Sequence, residues 1–352
     1  MSERNAADFG IRIGTMTPGP SNSMADIAGL SFGHVTLSNG AVQTGVSVIH
    51  PHGGSLFEEK CVAAAHVING FGKSVGLMQL TELGQLETPI VLTNTLSVGT
   101  ASTALVRHML ADHPAIGEAT GTVNPLVMEC NDGAYLNDIR GLHVTQDHVA
   151  DALVQRLSHC QHGAIGAGTG MSAYELKGGI GSASRLVPAG PHSYRLAALT
   201  LCNMGLLCDL VVDGQPVGRT LERQQGADEE KGSIIIILAT DAPLTARQLQ
   251  RLCVRASAGL ARTGTQFGSG SGDIVLAFTT ANRIPHDMPQ DPVERVEHLH
   301  ENALDPFFRA TIEATEEAIL TAMFAAERTE GKHGRCRESL ADLWPSLPLK
   351  KD

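Results

Sequence analysis

A serine that follows a glycine at the head of a long aliphatic run is the first feature with chemical meaning: Gly232-Ser233-Ile234-Ile235-Ile236-Ile237-Leu238. Five consecutive branched aliphatics read as a strand buried on both faces. Ser233 therefore stands where a loop meets the interior of a sheet. The strand fixes its backbone and the loop keeps its hydroxyl accessible. A charged run, Gly226-Ala227-Asp228-Glu229-Glu230-Lys231, leads into this point. Were the Gly232–Ser233 bond cut, Ser233 would carry a hydroxyl and an α-amine together. An α-amine, with a pKa of about 7.7–8.0, can act as base for its own hydroxyl. The plainer alternative is a glycine-serine turn before a core strand.

Two further groups bear on that serine. Ser271-Gly272-Asp273 heads a second apolar run, Ile274-Val275-Leu276-Ala277-Phe278-Thr279, and one helix separates the two runs. Parallel strand–helix–strand geometry brings both strand starts to one sheet edge. A hydroxyl and a carboxylate there can orient Ser233, and glycine N–H groups can bind an oxyanion. Glu129 lies inside Leu126-Val127-Met128-Glu129-Cys130, which ends at the turn signal Asn131-Asp132-Gly133. A buried carboxylate is costly unless paired, so Glu129 either marks a strand end or has a function.

Other chemistries fail on detail. The glycine-dense segment Gly163 to Gly170 lacks a GxGxxG pattern because Met171 stands at the last glycine position, and no GxxxxGK[ST] motif exists. Close-packed turns against a sheet are the reading for that segment and for Lys177 to Arg185. GxSxG is absent around Ser172, Ser269 and Ser271. The histidines are scattered with no paired metal spacing, so no metal and no cofactor are expected.

The elements that must position these residues follow from periodicity. Leu30–Leu37 and Gly45–Ile49 read as antiparallel strands joined through Asn39-Gly40. Lys60–Gly70 is another strand, Leu77–Leu86 a short helix, and Pro89–Gly99 a strand running into a helix with Ala104, Leu105, Met109 and Leu110 on its apolar face. Val144–His159 reads as an amphipathic helix. Leu196–Asn203 is a strand, followed by a second apolar run to Val212. Thr245 caps a helix whose inner face is Leu249, Leu252, Ala256 and Leu260. Glu301–Glu327 is one long helix, and Leu343-Trp344-Pro345 in the tail can dock on the body.

Length and composition bound the rest. The 352 residues are enough for one large or two medium cores. A net charge of −11 argues against nucleic acid and against anionic membranes. No run reaches the roughly 18–20 apolar residues of a membrane span, and Met1 to Gly10 lacks the apolar stretch of a secretory signal. The seven cysteines are odd in number and form no CxxC pair, which reads as reduced, mostly buried thiols. A cytoplasmic location is the expectation.

Taken in order, these stretches resemble the self-processing aminopeptidases: the L-aminopeptidase/D-Ala-esterase-amidase enzymes and the β-peptidyl aminopeptidases. The resemblance runs through Gly33-His34, Asn69-Gly70-Phe71-Gly72-Lys73, Thr88-Pro89-Ile90 to Val98-Gly99, Glu129 to Gly141, Gly166-Ala167-Gly168-Thr169-Gly170 to Arg185, Gly232-Ser233 with its aliphatic run, Arg262-Thr263-Gly264 and Ser271 to Phe278. It covers roughly residues 10 to 285.

The resemblance implies an α/β (α+β) protein with a four-layer αββα sandwich akin to N-terminal-nucleophile hydrolases. It implies a single catalytic domain, residues 1–352, autocleaved at Gly232–Ser233 into residues 1–232 and 233–352. Ser233 is then the nucleophile, with Ser271 and Asp273 completing the catalytic set and Asn203 stabilising the oxyanion. Some relatives carry glutamate where this chain has Asp273. Glu129 pairs with the substrate's free amino group, with Asn131, Tyr135 and Gly272 as further substrate-binding positions. The implied partners are a small peptide or amide substrate and other copies of the chain, as a tetramer of cleaved heterodimers. Two alternatives stand beside this reading. One is the related ornithine acetyltransferase, against which serine at 233 and the motif set count. The other is an uncut module whose glycine-rich segment holds an anion.

Overall fold

A computed structural model describes residues 5–221 and 232–347. The charged run Gly226 to Lys231 lies outside the described residues.

The first strands are β1 (Ser31–Asn39), β2 (Val42–His50), β3 (Glu59–Gly70), β4 (Gln85–Leu86), β5 (Ile90–Asn94) and β6 (Leu126–Cys130). A small hairpin, β7 (Ser172–Ala173) and β8 (Leu176–Lys177), precedes β9 (Gly179–Ala189), β10 (His192–Asn203), β11 (Ser233–Thr240) and β12 (Gly272–Pro285). The helices are α1 (Leu77–Glu82), α2 (Val98–Asp112), α3 (Gln146–Val154), α4 (Val217–Leu221), α5 (Ala246–Arg262), α6 (Asp305–Ala325) and α7 (Leu340–Leu343).

Two sheets carry the fold. One has the order β1-β2-β5-β6 and the other β4-β3-β12-β11-β10-β9. Three apolar layers separate four structural ones. Ile49, Leu92 and Met128 of the first sheet meet Ile235, Ile237, Leu276 and Phe278 of the second. Ile234, Ile236 and Leu238 point the other way, onto Leu249, Leu252, Ala256 and Leu260 of α5 and the apolar face of α6. On the opposite side, Val46, Val48 and Val127 pack under α2 and α3. The order helix–sheet–sheet–helix is the expected αββα sandwich. The aliphatic run of β11 splits cleanly by parity because successive strand side chains alternate faces. Each fully buried isoleucine contributes roughly 1.5–3 kcal/mol.

Strand β11 pairs with β12 in parallel, Ser233 opposite Gly272, and with β10 antiparallel, Ser233 opposite Asn203. Helix α5 makes the crossover, so both strand starts share one edge. Its N-terminus is the expected one: the Thr245 hydroxyl accepts from the Gln248 N–H, and Gln248 Oε1 accepts from the Thr245 N–H. β12 also pairs with β3, Gly272 opposite Gly70 and Asp273 opposite Asn69. The next pair is Ile274 with Val67, so Ile68 bulges from the ladder beside the site.

Several boundaries differ from the periodic reading. The strand from Pro89 ends at Asn94; a 3-10 turn, Thr95–Ser97, follows and α2 begins at Val98. Asn94 drives the exit by accepting the Ser97 N–H with its side chain. Helix α3 spans only Gln146–Val154, and the run to Val212 after Asn203 holds a short 3-10 turn, Leu207–Asp209, in place of a strand. Trp344 docks as expected, edge-on to Phe324 with ring centroids 5.1 Å apart. All seven cysteines are free thiols.

Candidate active site

The heads of β11 and β12, the tail of β10 and the ends of β3 and β6 converge on Ser233. Its Oγ donates to the Gly232 carbonyl at 2.7 Å. The Gly272 N–H points at the same place, 3.2 Å from Ser233 Oγ and 3.3 Å from the Gly232 carbonyl oxygen. One backbone donor thus serves both the hydroxyl and the carbonyl of the preceding peptide. An N–H held by a sheet needs no reorganisation to meet charge developing on that oxygen.

Close approach dictates both glycines. A Cβ on Gly232 would lie 2.1 Å from the Asn203 carbonyl oxygen and 2.5 Å from the Met204 Cα. A Cβ on Gly272 would lie 2.9 Å from the Gly72 backbone.

Ser271 and Asp273 are both buried, and Ser271 Oγ donates to Asp273 Oδ1 at 2.6 Å. Asn69 ties down their loop by donating from Nδ2 to the Gly268 and Ser271 carbonyls, each at 2.7 Å. The shorter aspartate therefore does reach the serine hydroxyl two residues before it.

Asn203 sits across the ladder from Ser233 with its carboxamide clamped at both ends. Oδ1 accepts the Ser172 N–H at 2.9 Å, and Nδ2 donates to the Asn131 carbonyl at 2.9 Å. An amide nitrogen has a second hydrogen to offer. Ser172 is in turn fixed by the glycine-rich segment. There the buried Lys177 ammonium donates to the carbonyls of Gly168, Met171 and Gly178 at 3.1, 2.9 and 2.7 Å. Burial pushes that amine down to about 7. The close-packed turns inferred for this segment are present, and a lysine is what gathers them.

Glu129 is buried within β6. Its Oε1 accepts the Lys73 backbone N–H at 2.8 Å, and its Oε2 accepts the Thr95 hydroxyl in a short hydrogen bond. Next to it, Asp132 is fully enclosed; it accepts from Asn137 Nδ2 at 2.9 Å, and burial raises its carboxyl to about 7.

A cavity of about 240 Å³ opens on these groups, lined by Phe71, Lys73, Thr95, Asn131, Gly232, Ser233 and Gly270. The structure thus brings together Ser233, Gly232, Gly272, Asn203 and Asn131, with the Ser271–Asp273 pair behind them and Glu129 reached through Lys73 and Thr95. Tyr135 is placed apart from the cavity lining, its ring under the guanidinium of Arg337 at 3.6 Å and of Arg335 at 5.3 Å. Sequence reasoning missed Thr95, Lys73 and Phe71 as site residues. Their only signal was membership of segments already noted, because an ordinary threonine and lysine gain meaning from tertiary approach alone.

Among the described residues no group of three or more histidine, cysteine, aspartate or glutamate side chains could hold a metal ion, and no helix is long and apolar enough to cross a membrane.

Comparison with known proteins agrees with this arrangement. Residues 22–337 match the sequence model of Peptidase family S58. The chain is 35% identical over 359 residues to a β-peptidyl aminopeptidase, BapA, of Sphingosinicella microcystinivorans, covering 95% of this chain and 89% of that one. Among solved structures it is similar to a β-aminopeptidase of Burkholderia sp., with a TM-score of 0.90, 38% identity and coverage of 99% and 100% of the two chains. It is also similar to an L-aminopeptidase D-Ala-esterase/amidase from Ochrobactrum anthropi, described as a prototype of the serine aminopeptidases and a variant of the Ntn hydrolase fold. That likeness has a TM-score of 0.87, 36% identity and coverage of 96% and 95%.

Proposed function

The chain belongs to peptidase family S58 and is a serine aminopeptidase, and from that premise we propose that it matures by cutting itself at Gly232–Ser233. It then hydrolyses the first bond of short peptides, amides or esters that carry a free amino terminus, β-amino acid residues included. The observation that carries this reading is the shared donor at the strand heads. The Gly272 N–H faces the Gly232 carbonyl oxygen and Ser233 Oγ together, and Ser233 Oγ already contacts that carbonyl.

In maturation, Ser233 Oγ attacks the Gly232 carbonyl carbon while the Gly272 N–H takes the charge growing on the oxygen. The C–N bond breaks as the Ser233 hydroxyl proton passes to the departing nitrogen, which becomes the free α-amine, and water hydrolyses the resulting ester to leave a Gly232 carboxylate. In turnover, the freed α-amine accepts the Ser233 hydroxyl proton, and the hydroxyl attacks the substrate carbonyl. The leaving amine departs with that proton, and water resolves the acyl-enzyme. Asn203 Nδ2 supplies the second oxyanion donor, and Glu129 anchors the substrate ammonium. The Ser271–Asp273 pair orients the new terminus. The two-chain domain of 232 and 120 residues (352 − 232 = 120), a cytoplasmic location and assembly of cleaved heterodimers into tetramers belong to the same proposal.

Ser233→Ala removes the attacking oxygen. Denaturing electrophoresis and mass spectrometry are expected to show one continuous chain with no turnover, against two fragments and a new Ser233 terminus in the active protein. An active, uncut wild-type chain, or turnover by the alanine variant, overturns the mechanism.

A further inference from the structure

Two charges of opposite sign stand at the cavity, Lys73 in its lining and Glu129 behind Lys73 and Thr95, and the proposed chemistry uses only one. Glu129 takes the substrate amine. Lys73 lines the same cavity as Ser233, and its side chain is exposed. Its backbone and its side chain go separate ways. The N–H donates to Glu129 Oε1, but the side chain doubles back, so that Nζ donates to the Phe71 carbonyl at 2.9 Å and lies 3.9 Å from the Phe71 ring centroid.

Phe71 donates its own N–H to the Ser271 carbonyl at 3.3 Å. The ammonium therefore rests on Phe71, whose backbone is tied to Ser271. Among the described residues no carboxylate pairs with it, and with one carbonyl bond it keeps two donors. The exposed Phe71 ring, 61% accessible, supports it as a platform at the cavity mouth.

We propose that Lys73 is a specificity-determining residue: it receives the carboxylate at the far end of a short substrate, so that the enzyme selects peptides with a free carboxyl terminus over the matching amides and esters. This rests on Glu129 as the amine anchor. A zwitterionic dipeptide satisfies both charges, its amine at Glu129 and its carboxylate at Lys73, whereas its amide leaves Lys73 facing water. A cavity of about 240 Å³ is small for a ligand site and admits only a short molecule, and the Lys73 N–H bond to Glu129 keeps the two residues adjacent. Because Lys73 is exposed, the pair has the modest strength of a solvent-screened contact, roughly 3–10-fold in affinity.

The test compares kcat/KM for one dipeptide as the free acid and as its carboxyl-terminal amide. Wild type and Lys73→Arg are expected to favour the acid by roughly 3–10-fold, mainly through KM. Lys73→Met is expected to erase the preference and Lys73→Glu to reverse it. Every variant retains the backbone N–H that holds Glu129, and the ratio of two substrates on one preparation is insensitive to its folded fraction. Raising ionic strength should shrink the wild-type ratio without any mutation. An acid-to-amide ratio equal in wild type, Met and Glu variants, or a wild-type ratio indifferent to salt, overturns the proposal. The amine anchor is tested separately: Glu129→Gln should raise KM for acid and amide by the same factor. An unchanged KM there condemns the role of Glu129 and leaves the Lys73 ratio to be judged on its own.

Discussion

At the scale of single residues, the site is built from groups that have no alternative partner geometry. Gly232 shows this best. Its backbone lies against the Asn203 carbonyl so closely that any side chain must push β10 away from the head of β11. Gly232→Ala is therefore expected to lower the rate of self-cleavage by an order of magnitude or more, because a displaced carbonyl loses the Gly272 donor, and removal of one oxyanion donor costs about 100–1,000-fold. The accumulation of uncut chain over time after synthesis measures it; cleavage at the wild-type rate refutes the steric account. Ser233, Gly272 and Glu129 were legible because each breaks a local rule: a polar head on an aliphatic run, a glycine at a strand start, an acid inside a strand; Asn203 was legible through the resemblance alone. Thr95 and Lys73 break none, and only the approach of the end of β3 to the end of β6 gives them work.

At the scale of elements, the strands were legible wherever β-branched residues ran without interruption, and β11–α5–β12 was legible down to its cap. The early end of β5 was not. Pro89 to Gly99 is strand-compatible throughout, and the chain turns at Asn94 only because its side chain captures the Ser97 N–H. That turn matters, since it swings the Thr95 hydroxyl onto Glu129. Thr95→Val keeps the shape and deletes the hydroxyl, leaving a buried carboxylate oxygen short of one donor. KM for substrates with a free amine is expected to rise several-fold with kcat less affected, while Thr95→Ser restores both. Steady-state kinetics on the three proteins decides; equal KM values would show that the turn positions nothing.

At the scale of the whole molecule, the layering was legible from the resemblance and from the two-sided burial of β11, whereas the sheet order was not, because pairing between distant strands leaves no local trace. The buried histidines set the response to acid. Burial depresses His34 and His162 to about 4 and His50 to about 3, from an ordinary 6.5. Among the described residues, Nε2 of His34 and Nδ1 of His162 have no acceptor for a new proton. Between pH 6.5 and about 4 the unfolded chain binds protons that the native one refuses, so stability falls as pH falls. Asp132, raised to about 7, and Glu316, also raised by burial, work in the opposite sense, whereas His52 and His108, lowered by burial, add to the three histidines. Urea midpoints of the uncut Ser233→Ala protein should drop from pH 7 to pH 4.5, and His162→Gln should flatten the slope; a flat profile in the parent denies that these rings are held neutral.

The sheet order has a last consequence for the proposed cut at Gly232–Ser233. In β4-β3-β12-β11-β10-β9, the two strands that residues 233–352 contribute, β11 and β12, lie between strands of residues 1–232. Arg185 of β9 also grips Glu313 and Glu317 of α6 across the cut. Neither piece can leave with a sheet intact. The proposed scission would turn refolding from a unimolecular event into a second-order encounter that slows with dilution, so the cut form once denatured is expected to recover poorly where the uncut chain returns.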